Sequence, residues 1–232
     1  MRVAILQSNY IPWKGYFDII NSVDFFVIYD EVQYTKNDWR NRNMIKTAEG
    51  ASWITIPASQ KNLSQKISET TVCLKDWNKK HLKTIQYTYA KASGYKEFRD
   101  FFEGLYVNVP SDNLSEINTY FLKNICEVLD IKTTFINSSD LDLIEGKTER
   151  LVDICQKLNA TSYISGPAAK NYLDVSLFHT SNIEVEWIDY SNYPVYPQLY
   201  GEFNHYVSII DLILNTGKQA NTFLKTSSTH AV

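Results

Sequence analysis

The stretch Asp30–Lys46, DEVQYTKNDWRNRNMIK, sets carboxylates, four amides, an indole and several cations side by side. Asp30 directly follows the apolar run Phe25–Tyr29, and a carboxylate at a strand end can orient a substrate hydroxyl or amine. Gln33, Asn41 and Asn43 donate and accept at once, which suits sugar hydroxyls or a carboxamide. Arg42 with its planar fork, and Lys36 and Lys46 as point charges, can meet phosphate. Trp39 can stack on a sugar or a base. A solvated surface loop anchored by a buried tryptophan would contain the same residue types, so the composition of this stretch does not decide by itself.

A second cluster lies just upstream. After the apolar run Val3–Leu6 come Gln7, Asn9, Tyr10, Pro12, Trp13, Lys14, Gly15, Tyr16 and Phe17. Polar and aromatic groups massed after successive strands of an α/β sheet are where a ligand usually sits. Ser165-Gly166-Pro167-Ala168-Ala169-Lys170 is a third candidate: a small-residue turn with proline at the first helical position leaves backbone N–H groups free to meet an anion. An ordinary strand–helix turn has the same composition. Asp189, Tyr190, Tyr193, Tyr196 and Gln198 can form a far wall, or simply pack a proline-rich loop. His81, His179, His205 and His230 have no metal-ligand spacing, so no metal is expected. His205, in the aromatic loop, is the histidine best placed to act as a general base. P-loop, G-x-G-x-x-G, G-x-S-x-G and H-E-x-x-H patterns are all missing.

The elements that would position these groups alternate. Arg2–Leu6, Phe25–Tyr29, Ser52–Ile56, Glu69–Leu74, Thr133–Asn137, Thr161–Ile164 and Ile183–Trp187 read as strands. Helices are expected from Lys14–Gly15, over Trp77–Ala92, around Phe98–Leu105, from Pro110 onward, over Lys147–Leu158, after Ser165-Gly166-Pro167 and over Val207–Leu214. Asp30–Gly50 follows neither period and reads as a long functional loop. The order predicts an α/β fold, a mainly parallel, Rossmann-like sheet with flanking helices and a helical insert. As domains this is one α/β unit over 1–217 with a helical subdomain at about 77–130, then a tail over 218–232 expected to be frayed.

With 232 residues, 44% of them hydrophobic, the chain can bury a sizeable core. A net charge of −3 gives no electrostatic reason to expect nucleic acid as a partner. Sixteen tyrosines and five tryptophans fit either an aromatic core or a ring-lined carbohydrate or nucleotide cleft. Cys73, Cys126 and Cys155 are widely spaced, no signal-peptide pattern precedes the first strand, and no segment approaches the ~20 apolar residues of a membrane span. The expectation is a cytoplasmic protein without a transmembrane segment.

Three of these stretches together resemble the WbqC-like family: QSNYIPWKGYF (Gln7–Phe17), DEVQYTKNDWRNRNMIK (Asp30–Lys46) and YISGPAAKNYL (Tyr163–Leu173). Tyr196-Pro-Gln and SIIDLILNTG (Ser208–Gly217) fit as well, and Ser8 stands where the family pattern leads one to expect proline. The resemblance implies a place in bacterial O-antigen or other surface-polysaccharide pathways, and for some such proteins a glycine transferase role. It transfers no catalytic residues. A weaker likeness, in arrangement only, is to adenylyl-transferring enzymes with an H-x-G-H signature such as pantothenate synthetase; Trp13–Phe17 contains no histidine. Lys14, Lys36, Arg42 or Lys170 would then stabilise the phosphoryl charge.

The reading that follows is a transferase adding an aminoacyl (glycyl) or acyl group to a nucleotide-activated amino sugar. Asp30 or His205 takes a proton from the amine, while Lys36 and Arg42 hold phosphate. Gln7, Asn9, Tyr10, Trp13, Tyr16, Gln33, Trp39, Asn41, Asn43, Ser165, Gly166, Lys170 and Tyr196 contact substrate. ATP or another activated acyl donor is the expected co-reactant. An adenylate-forming ligase and a non-catalytic nucleotide-sugar or glycan binding module are the alternatives.

Overall fold

A computed structural model describes residues 1–226. Five short strands, β1 (Arg2–Leu6), β2 (Phe25–Ile28), β7 (Thr134–Asn137), β8 (Ser162–Ser165) and β9 (Glu184–Trp187), form one parallel sheet in the order β7-β2-β1-β8-β9. The α/β reading with a parallel sheet is therefore correct. β1 is central, with Ala4 paired to Phe26 on one side and Ile164 on the other. Its run of apolar residues without polar alternation reflects a strand covered on both faces.

Alternation of side chains then splits the core in two. Ala4, Phe26, Ile28 and Ile164 point into a large cluster shared with α1 (Lys14–Asn21), α2 (Trp77–Tyr89), α3 (Tyr95–Val107), α4 (Leu114–Val128) and α7 (Ile209–Thr216). Val3, Ile5, Val27 and Tyr163 point the other way, onto α5 (Thr148–Lys157) and α6 (Val175–Thr180). Tyr163 stacks flat on Phe178 there, 4.9 Å between centroids.

The long connection between β2 and β7 holds α2, α3 and α4, whose apolar stripes meet the first core. It also holds two antiparallel hairpins, β3 (Arg42–Thr47) with β4 (Gly50–Thr55) and β5 (Ala58–Ser59) with β6 (Thr71–Val72). The second half of Asp30–Gly50 is thus a strand and not loop. Its alternation was hidden because Lys46, a residue expected in water, is buried. α4 starts at Leu114, later than Pro110, because the Asn113 side chain accepts from Glu116 N and caps it. After Gly217 the chain makes a 3-10 turn (Gly217–Phe223), and Ala220 and Leu224 are buried. The expectation of a frayed tail does not match residues 218–226; 227–232 lie outside the described residues.

Candidate functional site

Strands are added outward from β1 in one direction as far as β7, and then on its other side, β8 followed by β9. The crevice outside the carboxyl ends of β1 and β8 is the topological switch point, where open α/β sheets bind ligands. Gln7 follows β1 there, and Ser165–Gly166 end β8. The Tyr16 hydroxyl donates to the Gln7 carbonyl at 2.7 Å and holds the loop. Trp13 packs against Tyr190 (5.1 Å) and Tyr193 (5.4 Å), and a Cβ on Gly166 would lie 3.4 Å from the Tyr190 hydroxyl. A Cβ on Gly15 would come within 2.3 Å of the Trp13 ring, so glycine lets the indole fold back over the start of α1.

Arg40 gathers this loop. Its guanidinium donates to Asn9 Oδ1 at 3.1 Å and to Gln7 Oε1, and lies 3.5 Å from Asp38. From α4, Asn118 Nδ2 donates to Ser8 Oγ (3.1 Å) and to the Arg40 carbonyl (2.8 Å). Next to these, Asp30 accepts from Ser8 N at 2.8 Å and from Ser115 Oγ at 2.5 Å. Burial raises the Asp30 carboxyl above its ordinary value, against the opposing serine hydrogen bonds and the Arg40 charge. Asp30 and Ser115 line a cavity of about 480 Å³ together with Ile28, Glu116, Lys123 and Ser138, at the carboxyl ends of β2 and β7. Neither Arg42 nor Lys170 lines it. A wider groove of about 1320 Å³ beside α1, from Arg2 and Asp24 to Trp187, is lined by Asp189 and Tyr193 of the proposed far wall but by none of Asp30, Arg42, Lys170 and His205.

The second wall does meet the first. Lys14 Nζ donates to the Pro194 carbonyl at 2.6 Å, inside rings of Tyr193, Tyr196 and Phe203 at 5.0–5.8 Å. Burial lowers its pKa to about 8. Lys46 Nζ donates to Gln198 Oε1 (2.8 Å) and to the Glu202 carbonyl. Asp211, fully buried, accepts from Tyr89 and Tyr196 hydroxyls at 2.8 Å each and from Gln198 Nε2 at 2.6 Å; burial raises its carboxyl. His205 packs edge-on against Phe203 (4.6 Å), its Nδ1 buried without a partner. Partial burial and then the Lys14 charge hold it below the usual histidine value.

Several residues read as ligand contacts have their side chains engaged inside the fold. Tyr10 is fully buried and bonds His81 Nδ1 (2.9 Å) and the Tyr106 hydroxyl (2.6 Å). Asn41 Nδ2 donates to the Ile56 carbonyl, and Asn43 Nδ2 to the Tyr10 carbonyl. Ser165, Tyr16 and Tyr196 are buried. Gln33, Lys36 and Lys170 are exposed, Lys170 with Nζ 5.5 Å from the Trp187 ring. Pro167–Asn171 is a short 3-10 turn, which leaves no extended helix start to hold an anion. Trp39 and Arg42 meet Trp53 on the β3–β4 hairpin.

Arg40, Ser115 and Asn118 are not marked as site residues by the sequence, and Ser8 is marked only as a departure from the family pattern. Arg40 stands two residues before Arg42 and has the same local signal; only the fold distinguishes the two. Ser115 reaches Asp30 from 85 residues away, and nothing local marks it. Among the described residues, no group of three or more His, Cys, Asp or Glu is placed to hold a metal ion, and no helix is long and apolar enough to cross a membrane.

Comparison with known proteins agrees with the motifs. No solved structure matches this chain. It is 47% identical over 225 residues, 97% of each chain, to the uncharacterized protein Rv1507c of Mycobacterium tuberculosis (strain ATCC 25618 / H37Rv). Residues 7–223 match the description of one family, from the Gln7 loop through the Asp30 segment and the Ser165 turn to the 3-10 turn after α7. The chain belongs to the WbqC-like protein family.

Proposed function

We propose that the protein is a cytoplasmic transferase that joins an aminoacyl (glycyl) or acyl group to the amine of a nucleotide-activated amino sugar, a precursor of O-antigen or another surface polysaccharide. The observation that carries this reading is Asp30: a buried carboxyl with a raised pKa, lining a cavity sized for a small ligand at the carboxyl edge of a parallel sheet. In the reaction, the amine lone pair attacks the activated carbonyl carbon, a C–N bond forms, and the bond to the activating group breaks. The proton released from nitrogen passes to Asp30, whose raised pKa makes it a stronger base than an ordinary carboxylate. Ser115 and Ser8 N fix the carboxylate plane. Lys36, exposed near the start of β3, supplies positive charge for phosphate. His205, neutral and unpartnered at Nδ1, is the second candidate base.

A second reading, in which ATP first adenylates the acyl group, is favoured by the strand order, with β1 central and the direction of strand addition reversing beside it. Incubation with UDP- and dTDP-amino sugars, candidate acyl donors and ATP separates these readings by product mass. A mass gain without ATP supports the transferase, and ATP-dependent gain with AMP release selects the ligase. Binding across the panel with no turnover leaves a binding module and rejects both.

A further inference from the structure

The β3–β4 hairpin and the turn before it expose an aromatic pair that the chemistry at Asp30 does not use. Trp39 and Trp53 are 42% and 43% exposed, with ring centroids 5.4 Å apart at 44°. Arg42, paired with Thr55 and so diagonal to Trp53 on the facing strand, has its Cζ 4.0 Å from the Trp53 ring centroid. A guanidinium over an indole is a stabilising cross-strand contact in its own right, at about 0.5–1 kcal/mol in exposed settings. That contact explains where Arg42 sits, but it meets none of its five N–H donors. Among the described residues no hydrogen bond or ion pair engages the Arg42 side chain, and its Nε is buried without a partner. Its neighbour Arg40 has three side-chain partners, Gln7, Asn9 and Asp38. A half-buried cation lacking a counter-charge, next to two exposed indoles, combines an anion hole with a stacking surface.

We propose that Trp39, Trp53 and Arg42 form a platform for a ring bearing a phosphate, the ring face on the indoles and the phosphate on the Arg42 guanidinium. The chemistry fits a nucleoside phosphate or a sugar phosphate. Calling this ligand the nucleotide end of the acceptor sugar rests on the transferase reading; binding itself does not require turnover. The platform is contiguous with the switch-point loop, since Tyr10 N donates to the Trp39 carbonyl at 3.0 Å.

Calorimetric titration of the full chain with UDP, UMP, glucose 1-phosphate, uridine and inorganic phosphate tests this proposal. Saturable binding of phosphate-bearing rings is expected, with uridine and inorganic phosphate each at least about ten-fold weaker. Comparable affinity for UDP and UMP with little for glucose 1-phosphate identifies the base as the stacked ring; the reverse identifies the sugar. Arg42→Gln is expected to erase the advantage of UMP over uridine, and Trp39→Ala, at an exposed position, to weaken every ring ligand about ten-fold while thermal unfolding is unchanged. If no phosphate-bearing ring binds at millimolar concentration, or folded Arg42→Gln and Trp39→Ala proteins bind UMP as the wild type does, the platform is refuted. A protein that binds UMP but transfers nothing would reject the transferase and keep the platform.

Discussion

Protonating His81 should cost the fold about 3 kcal/mol. The residue is 8% exposed, its ring packed edge-on to Trp77 at 5.1 Å. Nε2 faces the Thr55 carbonyl at 3.0 Å, an acceptor only, so Nε2 carries the proton and Nδ1 accepts from the Tyr10 hydroxyl at 2.9 Å. A second ring proton would collide with that arrangement inside a desolvated site, and burial holds the pKa at about 4 against 6.5. For a base with a lowered folded pKa, the unfolded chain binds the proton first. Stability is therefore intact above about 6.5 and is lost as pH falls toward about 4. That gap, at about 1.36 kcal/mol per pH unit, gives about 3 kcal/mol. Asp30 and Asp211 work in the opposite sense: their raised folded values mean that falling pH relieves a buried charge. The test is therefore a difference. Urea unfolding of wild type and of His81→Gln, whose amide can still donate to Thr55 and accept from Tyr10, is followed from pH 7 to pH 4. The wild type should lose about 3 kcal/mol relative to the variant over that window. A difference that stays constant with pH would refute the assignment of His81 as a neutral, desolvated donor–acceptor bridge.

Two further outcomes follow from the packing. Asp211→Ala strands the Tyr89 and Tyr196 hydroxyls and the Gln198 amide and removes the charge facing Lys46. It should destabilise by about 3 kcal/mol or more in urea unfolding, with Asp211→Asn closer to wild type because it keeps one acceptor. Gly15→Ala should displace the Trp13 indole from Tyr190 and Tyr193, seen as a changed near-UV circular dichroism band with a loss of about 1–3 kcal/mol. An unchanged spectrum would mean that the ring does not depend on the missing Cβ.

The sheet was readable because strands buried on both faces appear as short apolar runs such as VAIL and FFVI, and the helices because their stripes repeat at 3.6 residues. The candidate site was readable as segments and much less as residues. Gln7, Asn9 and Asp30 follow strands, and strand ends are legible. Whether a polar side chain there faces a ligand or holds a loop depends on partners distant in sequence. Asn41, Asn43 and Tyr10 have the composition of a sugar site, yet their donors are taken up by the Ile56 and Tyr10 carbonyls and by the His81–Tyr106 chain. Conversely, Ser115 belongs beside Asp30 only because α4 crosses the end of β2. Trp53 resembles any strand tryptophan until the hairpin register sets it opposite Met44 and next to Arg42.

The central claim is that Asp30 takes the proton of an amine undergoing acylation. The most direct measurement is transfer of an isotopically labelled acyl group to nucleotide-activated amino sugars, with wild type and Asp30→Asn side by side. Asparagine keeps the acceptor oxygen for Ser8 N or Ser115 and so preserves the fold, but it cannot take up the proton. Labelled product is expected from the wild type, with a rate at least about 100-fold lower from a variant of equal thermal stability. Equal rates from the two proteins, or no product from the wild type across the panel, would contradict that claim.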